Sequence, residues 1–343
     1  MKRVKRLFAC LLALTMMLGL SATAFATAPD VPDKRQQTEN GGIVKFTKEY
    51  QLKGEGTSPA ETFDFTIEKT GDVVNGGTGS ENQELPKMQS GATFSKNAAT
   101  TGGAQVDATV KLPEYNAVGT YSYTIRETAG TTAGVTYDDS TVTMKVTVIN
   151  GDTDGTYKIN GVTFWKDGEK IDTGNAGGVK NDAAFSNTYT ANKLNITKTV
   201  EGNLGDKSKY FDFKVTLTGE DGKTYTLPAT ITGGSTESKK QDSVTISVST
   251  TFKLKHKDTI TIENIPAGVE YEVEETDADG YDTSSTDKTG TMGETKKEVK
   301  FINTKTGGID TGVYLDNLPY LLVFAGVLAI AAVFVVRRRR FED

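Results

Sequence analysis

From residue 41 to residue 305 apolar and polar residues alternate along short runs, and no stretch longer than about two turns carries a helical period. Phe63-Asp64-Phe65-Thr66-Ile67, Tyr121-Ser122-Tyr123-Thr124-Ile125 and Val142-Thr143-Met144-Lys145-Val146-Thr147-Val148 each alternate with period two. In a strand successive side chains point to opposite faces, so this pattern buries one face and wets the other. Clusters such as Asn75-Gly76-Gly77 and Asn150-Gly151-Asp152 supply the turns between runs. A second series starts near Leu194 and continues through Tyr210 to Val215, Ser243 to Val248, Thr259 to Ile262 and Glu270 to Val273. The spacing predicts an all-β chain of two tandem immunoglobulin-like β-sandwich domains, residues 41–190 and 191–305, that meet around Thr190-Ala191-Asn192-Lys193. Neither half has the Cys…Trp…Cys signature of antibody domains.

The segments outside this region have other compositions. Residues 1–26 read as a secretory signal peptide: Lys2, Arg3, Lys5 and Arg6, then an apolar stretch from Leu7 to Leu20, then Ala24-Phe25-Ala26 with cleavage after Ala26. Residues 27–40 are polar and are expected to form a flexible leader. Cys10, the sole cysteine, lies in the signal peptide, so the exported chain is expected to need a source of rigidity other than disulfides. With one His besides, the sequence offers neither a His-dependent triad nor a Cys/His metal cluster, and no cofactor is expected. Residues 306–343 carry an apolar span, 318–336, close to the roughly 20 residues that cross a bilayer. Arg337 to Arg340 follow it, which places the tail on the cytoplasmic side. Between residues 27 and 311 there are 31 Lys and Arg against 42 Asp and Glu, a net −11 that repels phosphate backbones and argues against nucleic acid as a partner.

Three polar residues recur at apolar positions in both halves. Lys48 follows Phe46 by two residues and Lys198 follows Ile196; Glu127 follows Ile125 and Glu275 follows Val273; Asn187 follows Phe185 and Asn303 follows Phe301. Residues i and i+2 share a strand face, so all six point with the core. The order is the same, and Lys to Glu is 79 residues in the first half and 77 in the second. Any one of them alone reads as a snorkelling Lys, a solvated Glu or a turn-capping Asn. Together they form a reactive set. Burial lowers a Lys pKa and raises a Glu pKa, which leaves a neutral amine beside an amide acyl group and a carboxylic acid able to polarise the carbonyl and move protons to departing ammonia. The product is a Lys–Asn isopeptide bond.

This pattern resembles the backbone pilins of Gram-positive bacteria, whose Cna B-type domains carry intramolecular isopeptide bonds. The resemblance implies bonded sets Lys48–Asn187 with Glu127 and Lys198–Asn303 with Glu275. Gly308-Ile309-Asp310-Thr311-Gly312, followed by the apolar span and the Arg tail, is similar to a cell-wall sorting signal. That implies cleavage between Thr311 and Gly312 by a pilus-type sortase, although Asp310 stands where shorter variants of the motif have Pro and no Leu-Pro pair is present. In related two-domain pilins the amine that accepts the next subunit precedes the closing Asn of the first domain; Lys180 occupies that place, with Lys166 and Lys170 as alternatives. The resemblance thus implies a cell-surface pilus of identical subunits, fixed to peptidoglycan or an anchor subunit, with a tip adhesin and a host surface as further partners. Competing readings are a singly anchored adhesin and a secreted glycosidase with paired carboxylates; the second is disfavoured because the notable carboxylates occur one per domain. Asn150 to Gly155 echoes a calcium loop but lacks its closing Glu and reads as a hairpin turn.

Overall fold

In the computed structural model residues 34–174, 180–219, 226–233, 242–308 and 318–339 are described; Ala26 with the signal peptide, residues 27–33, and Thr311 with Gly312 lie outside them. The first domain contains β1 (Ile43–Gly54), β2 (Glu61–Phe63), β3 (Phe65–Lys69), β4 (Lys87–Ser90), β5 (Ala92–Phe94), β6 (Ala104–Lys111), β7 (Gly119–Glu127), β8 (Val135–Thr136), β9 (Thr141–Asn150), β10 (Tyr157–Lys166) and β11 (Glu169–Ile171). A long strand, β12 (Phe185–Glu201), leads into the second domain. There follow β13 (Phe211–Thr218), β14 (Thr226–Thr232), β15 (Ser243–Thr245), β16 (Thr250–Leu254), β17 (Thr259–Pro266), β18 (Glu270–Glu275), β19 (Asp282–Thr286), β20 (Thr289–Thr291) and β21 (Lys297–Thr304). Among the described residues one α-helix is present, α1 (Leu318–Arg339); its segment Pro319–Arg338 is exposed and is long and apolar enough to cross a membrane.

Each domain is a sandwich of two sheets. In the first, β11-β10-β9-β7-β3 packs over β12-β1-β6-β4, with β8 on the edge of β12. In the second, β16-β13-β18-β20 packs over β15-β14-β17-β12, where β12 also pairs with β21 and β21 with β19. One ten-stranded sheet therefore runs through both domains, and β12 is common to them. Aromatic rings fill both interiors. Phe46 meets Phe65 edge-on at 4.9 Å and Phe185 at 5.7 Å, while Phe213 meets Phe301 at 5.2 Å. Full burial of each such ring stabilises by roughly 1.5–3 kcal/mol.

β12 reverses its inward face part-way. Phe185, Asn187, Tyr189 and Ala191 are buried in its first half; Leu194, Ile196, Lys198 and Val200 are buried in its second. The odd positions pack in the first core and the even ones in the second, so the two faces of one alternating strand serve two cores. The pairing with β17 shifts at the changeover, between Asn192↔Ile265 and Leu194↔Ile262, with the extra residue on β17.

Two local expectations need correction. The leader assigned to 27–40 is tied down in its described part: the Gln36 backbone pairs with Val162, and its side chain donates to the Lys45 and Thr173 carbonyls, both at 2.6 Å. Asn40 likewise accepts from the Tyr115 amide at 2.8 Å. Three backbone groups at the sheet rim find partners through Gln36, so these polar residues are docked. The strand expected over 243–248 ends at Thr245, because Ser247 turns the chain with φ +62°. Asn150 to Gly155 lies at the β9–β10 hairpin turn, where Lys158 pairs with Asp152 at 2.6 Å.

Candidate cross-linking sites

The two Lys–Asn sets occupy the same place in the two sandwiches. β1 runs parallel to β12 with Lys48 opposite Phe185 and Tyr50 opposite Asn187. β12 runs parallel to β21 with Lys198 opposite Phe301 and Val200 opposite Asn303. In each pair the Asn follows the partner of the Lys by two residues, so both side chains leave neighbouring strands toward the same interior. Lys48, Asn187, Lys198 and Asn303 are all 0% exposed.

Glu127, at the end of β7 on the facing sheet, joins the first set. Its Oε2 lies 2.5 Å from Lys48 Nζ, and its Oε1 accepts a short hydrogen bond from Asn187 Nδ2. Lys48 also sits over the Phe63 ring at 4.7 Å. Burial pulls the Lys48 pKa down to about 8 from its ordinary 10.5, against the opposing pull of Glu127. The same burial raises the Glu127 pKa. Both directions favour a neutral amine and a neutral acid sharing the proton between them. The carboxyl thus touches the two groups that exchange protons in amide transfer: the incoming Nζ and the outgoing Nδ2. The sequence reading had Glu127 polarising the amide carbonyl. In the structure that oxygen faces elsewhere, and Asn187 Oδ1 accepts from the Asp138 amide at 2.8 Å.

In the second set Lys198 Nζ lies 2.6 Å from Glu275 Oε1, off the angle of a hydrogen bond, while Asn303 Nδ2 donates to the same oxygen at 2.9 Å. Phe211 and Phe213 flank Lys198 at 4.3 and 5.9 Å. Burial lowers its pKa too.

Of the candidate linking amines, Lys180 is the most open, with its side chain 54% exposed. Its Nζ is 2.6 Å from Glu49 Oε2 and donates to the Gly102 carbonyl at 2.7 Å. Glu49 is a buried carboxylate on β1. Burial would raise its pKa, but hydrogen bonds from Lys180, Gln51 and Gln105 hold it below the ordinary value. Lys166 is instead held at 22% side-chain exposure by Asp138 and the Ala184 carbonyl. The Lys170 carbonyl accepts from Lys34 at 3.0 Å. Sequence reasoning missed Glu49 and Asp138. Asp138-Asp139-Ser140 carries a common Asx-turn signal, which marks a turn and gives no hint of what the turn covers.

Residues 44–190 match the family described as the Spy0128-like isopeptide containing domain, and residues 192–305 match a domain of unknown function, DUF7601. The chain is 24% identical to a pilin of Streptococcus pyogenes serotype M1, over 94% of this chain and 98% of that protein. A stretch of 109 residues is 36% identical to the pilus tip adhesin Cpa of Streptococcus pyogenes but spans only 15% of it. Crystal structures of the Streptococcus pyogenes major pilin and of one of its mutants each share the fold with a TM-score of 0.50. They are 21% and 22% identical, over 78% of this chain and all of each of those chains.

Proposed function

We infer that this chain, whose residues 44–190 match the Spy0128-like isopeptide containing domain, is a structural backbone subunit of a pilus. The observation that carries the reading is the repeated Lys–Glu–Asn set, in one strand register, buried in both domains. Each set performs one covalent step. The neutral Lys amine attacks the Asn side-chain carbonyl carbon, and a C–N bond forms to Nζ. The bond to Nδ2 breaks, and the proton released by the amine crosses the Glu carboxyl to leave with ammonia. Desolvation of Lys48 and Lys198 supplies the free amine, and Glu127 and Glu275 serve the proton transfer.

Polymerisation uses a second, intermolecular reaction. A pilus-type sortase cuts after Thr311 and passes that acyl group to Lys180 of the next subunit; the last subunit goes to the cell wall. Lys180 is exposed enough to reach an acyl-enzyme, and Glu49 beside it can take up the proton its ammonium must lose. The membrane-length helix α1 holds the precursor until that cut. The test is a wall extract run in SDS. The parent gives a ladder of covalent multimers and Lys180→Ala a single band, while Lys166→Ala and Lys170→Ala keep the ladder. A ladder that survives Lys180→Ala overturns the assignment of the linking amine. Absence of any ladder from the parent leaves a singly anchored surface protein.

A further inference from the structure

We propose that the main-chain N–H of Asp138 is the oxyanion donor for the first domain's isopeptide bond, and that the Asp138 side chain positions it. This rests on the cross-linking reading above and adds a catalytic group to it. Attack by Lys48 Nζ on the Asn187 side chain turns its carbonyl oxygen into an oxyanion, which needs a preorganised donor in a site that excludes water. Glu127 does not supply one, since its two oxygens face Lys48 Nζ and Asn187 Nδ2. The Asp138 N–H does, at 2.8 Å from Asn187 Oδ1. An amide N–H can only donate, so this contact also fixes the side-chain amide with Oδ1 toward Asp138 and Nδ2 toward Glu127. That is the orientation in which the leaving nitrogen meets the proton carrier.

The donor is held from several directions. Asp138 Oδ1 accepts from the Ser140 amide at 2.9 Å, and Oδ2 accepts from the Ser186 amide at 2.7 Å. Lys166 Nζ approaches Oδ2 at 3.3 Å and donates to the Ala184 carbonyl at 2.9 Å. Ser186 adjoins Asn187 on β12, and Thr136, two residues before Asp138, pairs with Thr188. The turn is thus stitched to the strand that carries the acyl group, on both sides of it. Burial would raise the Asp138 carboxyl, yet the hydrogen bonds from Ser140 and Ser186 and the charge of Lys166 keep it below its ordinary pKa, as an anion that can make these contacts.

The second domain supplies the contrast. Asn303 Oδ1 is buried without a hydrogen-bond partner among the described residues, and a single oxygen of Glu275 faces both Lys198 and Asn303. The same bond chemistry therefore runs there without this donor, which provides a clock inside the same molecule.

The test replaces the amide preceding Asp138 with an ester, by cell-free synthesis of the full chain in detergent with the α-hydroxy analogue of aspartate at position 138. The side chain stays and the N–H is lost. Intact mass followed after synthesis, with proteolytic mapping, assigns each lost ammonia to its domain. The expected result is a first-domain bond slowed about 100-fold, the scale of losing one oxyanion donor, with the second-domain bond unchanged. Asp138→Ala should slow the first bond as well, and Asp138→Asn, which keeps one acceptor, should restore part of the rate. A first bond that forms at the parental rate in the ester chain overturns the proposal and leaves the cross-linking reading standing. Equal slowing in both domains overturns it too, as a general folding defect. A parent chain that loses no ammonia overturns both.

Discussion

Asn187→Ala isolates what the first cross-link contributes to stability. The substitution removes the acyl group but leaves Lys48 beside Glu127, so no buried charge is orphaned. A bond from Lys48 to Asn187 closes a loop of about 140 residues, and in the chain-entropy treatment of cross-links a loop that long stabilises by about 5 kcal/mol. The Asp138 N–H loses its acceptor, which adds roughly 1–3 kcal/mol. A domain of about 150 residues unfolds with an entropy near 0.3 kcal/mol per kelvin, so a loss of about 7 kcal/mol lowers its Tm by about 20 °C. Calorimetry with intact mass on the same sample reads both quantities. The expected outcome is one lost ammonia in place of two, a first-domain transition lower by about 20 °C, and a second-domain transition in place. If the ammonia count falls to one and the first transition moves by less than about 5 °C, the clamp does not act through the unfolded chain. If the count stays at two, Asn187 is not the acyl donor.

Three further outcomes follow from the same geometry. In Asn187→Ala the folded pKa of Lys48 is about 8 and the unfolded one about 10.5, so above pH 8 the unfolded state binds the proton that the folded state gives up. First-domain stability should therefore rise with pH between 8 and 10.5, by up to about 3 kcal/mol, and stay level from this group below 8; urea titrations across that window should find the rise absent in the cross-linked parent. Lys198→Met puts an apolar chain of similar length between Phe211 and Phe213, so the second ammonia is retained and the second transition falls while the first stays, as calorimetry with mass would read. Glu49→Gln removes the proton acceptor beside Lys180 and should slow ladder growth at least tenfold with both transitions unchanged; a parental rate sinks that role.

Much of this was legible because strands write their faces into the sequence with period two. Lys48, Glu127 and Asn187 stood out as polar residues where Phe46, Ile125 and Phe185 predict an inward position, and their recurrence as Lys198, Glu275 and Asn303 separated a pattern from three accidents. The groups that sequence reasoning missed act through other features. Asp138 works through its backbone N–H, which every residue but proline has, and its placement depends on Ser186 and Lys166, 48 and 28 residues away. Glu49 lies next to Lys48 and so faces the other side of β1, where Lys180 arrives from the far end of the domain. Gln36 is docked by side-chain contacts to backbone carbonyls, and its polar composition alone reads as a loose leader. The inward change of face along β12 was invisible as well, since a period-two run does not say that its two faces serve different cores.

Under the linkage proposed above, the position of Lys180 decides which of the proposed cross-links bears load. With tension entering at Lys180 and leaving at Thr311, the covalent route follows the backbone from 180 along β12 to Lys198, crosses to Asn303, and continues to 311. The first cross-link lies off that route: between 180 and 187 the direct backbone is far shorter than the way round through Lys48. Domain one then hangs beside the load path, and its bond serves stability and protease resistance; domain two is in series with the load and depends on its bond to stay folded under tension. Pulling a single molecule through a cysteine at position 180 and the residue 308 end should show no extension steps in the parent or in Asn187→Ala. Asn303→Ala should release the segment between Lys198 and residue 303, about 105 residues, and lengthen by roughly 35 nm at 3.3–3.6 Å per residue. A comparable step from Asn187→Ala under the same attachment would refute this load path, because it would mean that the first sandwich carries tension after all.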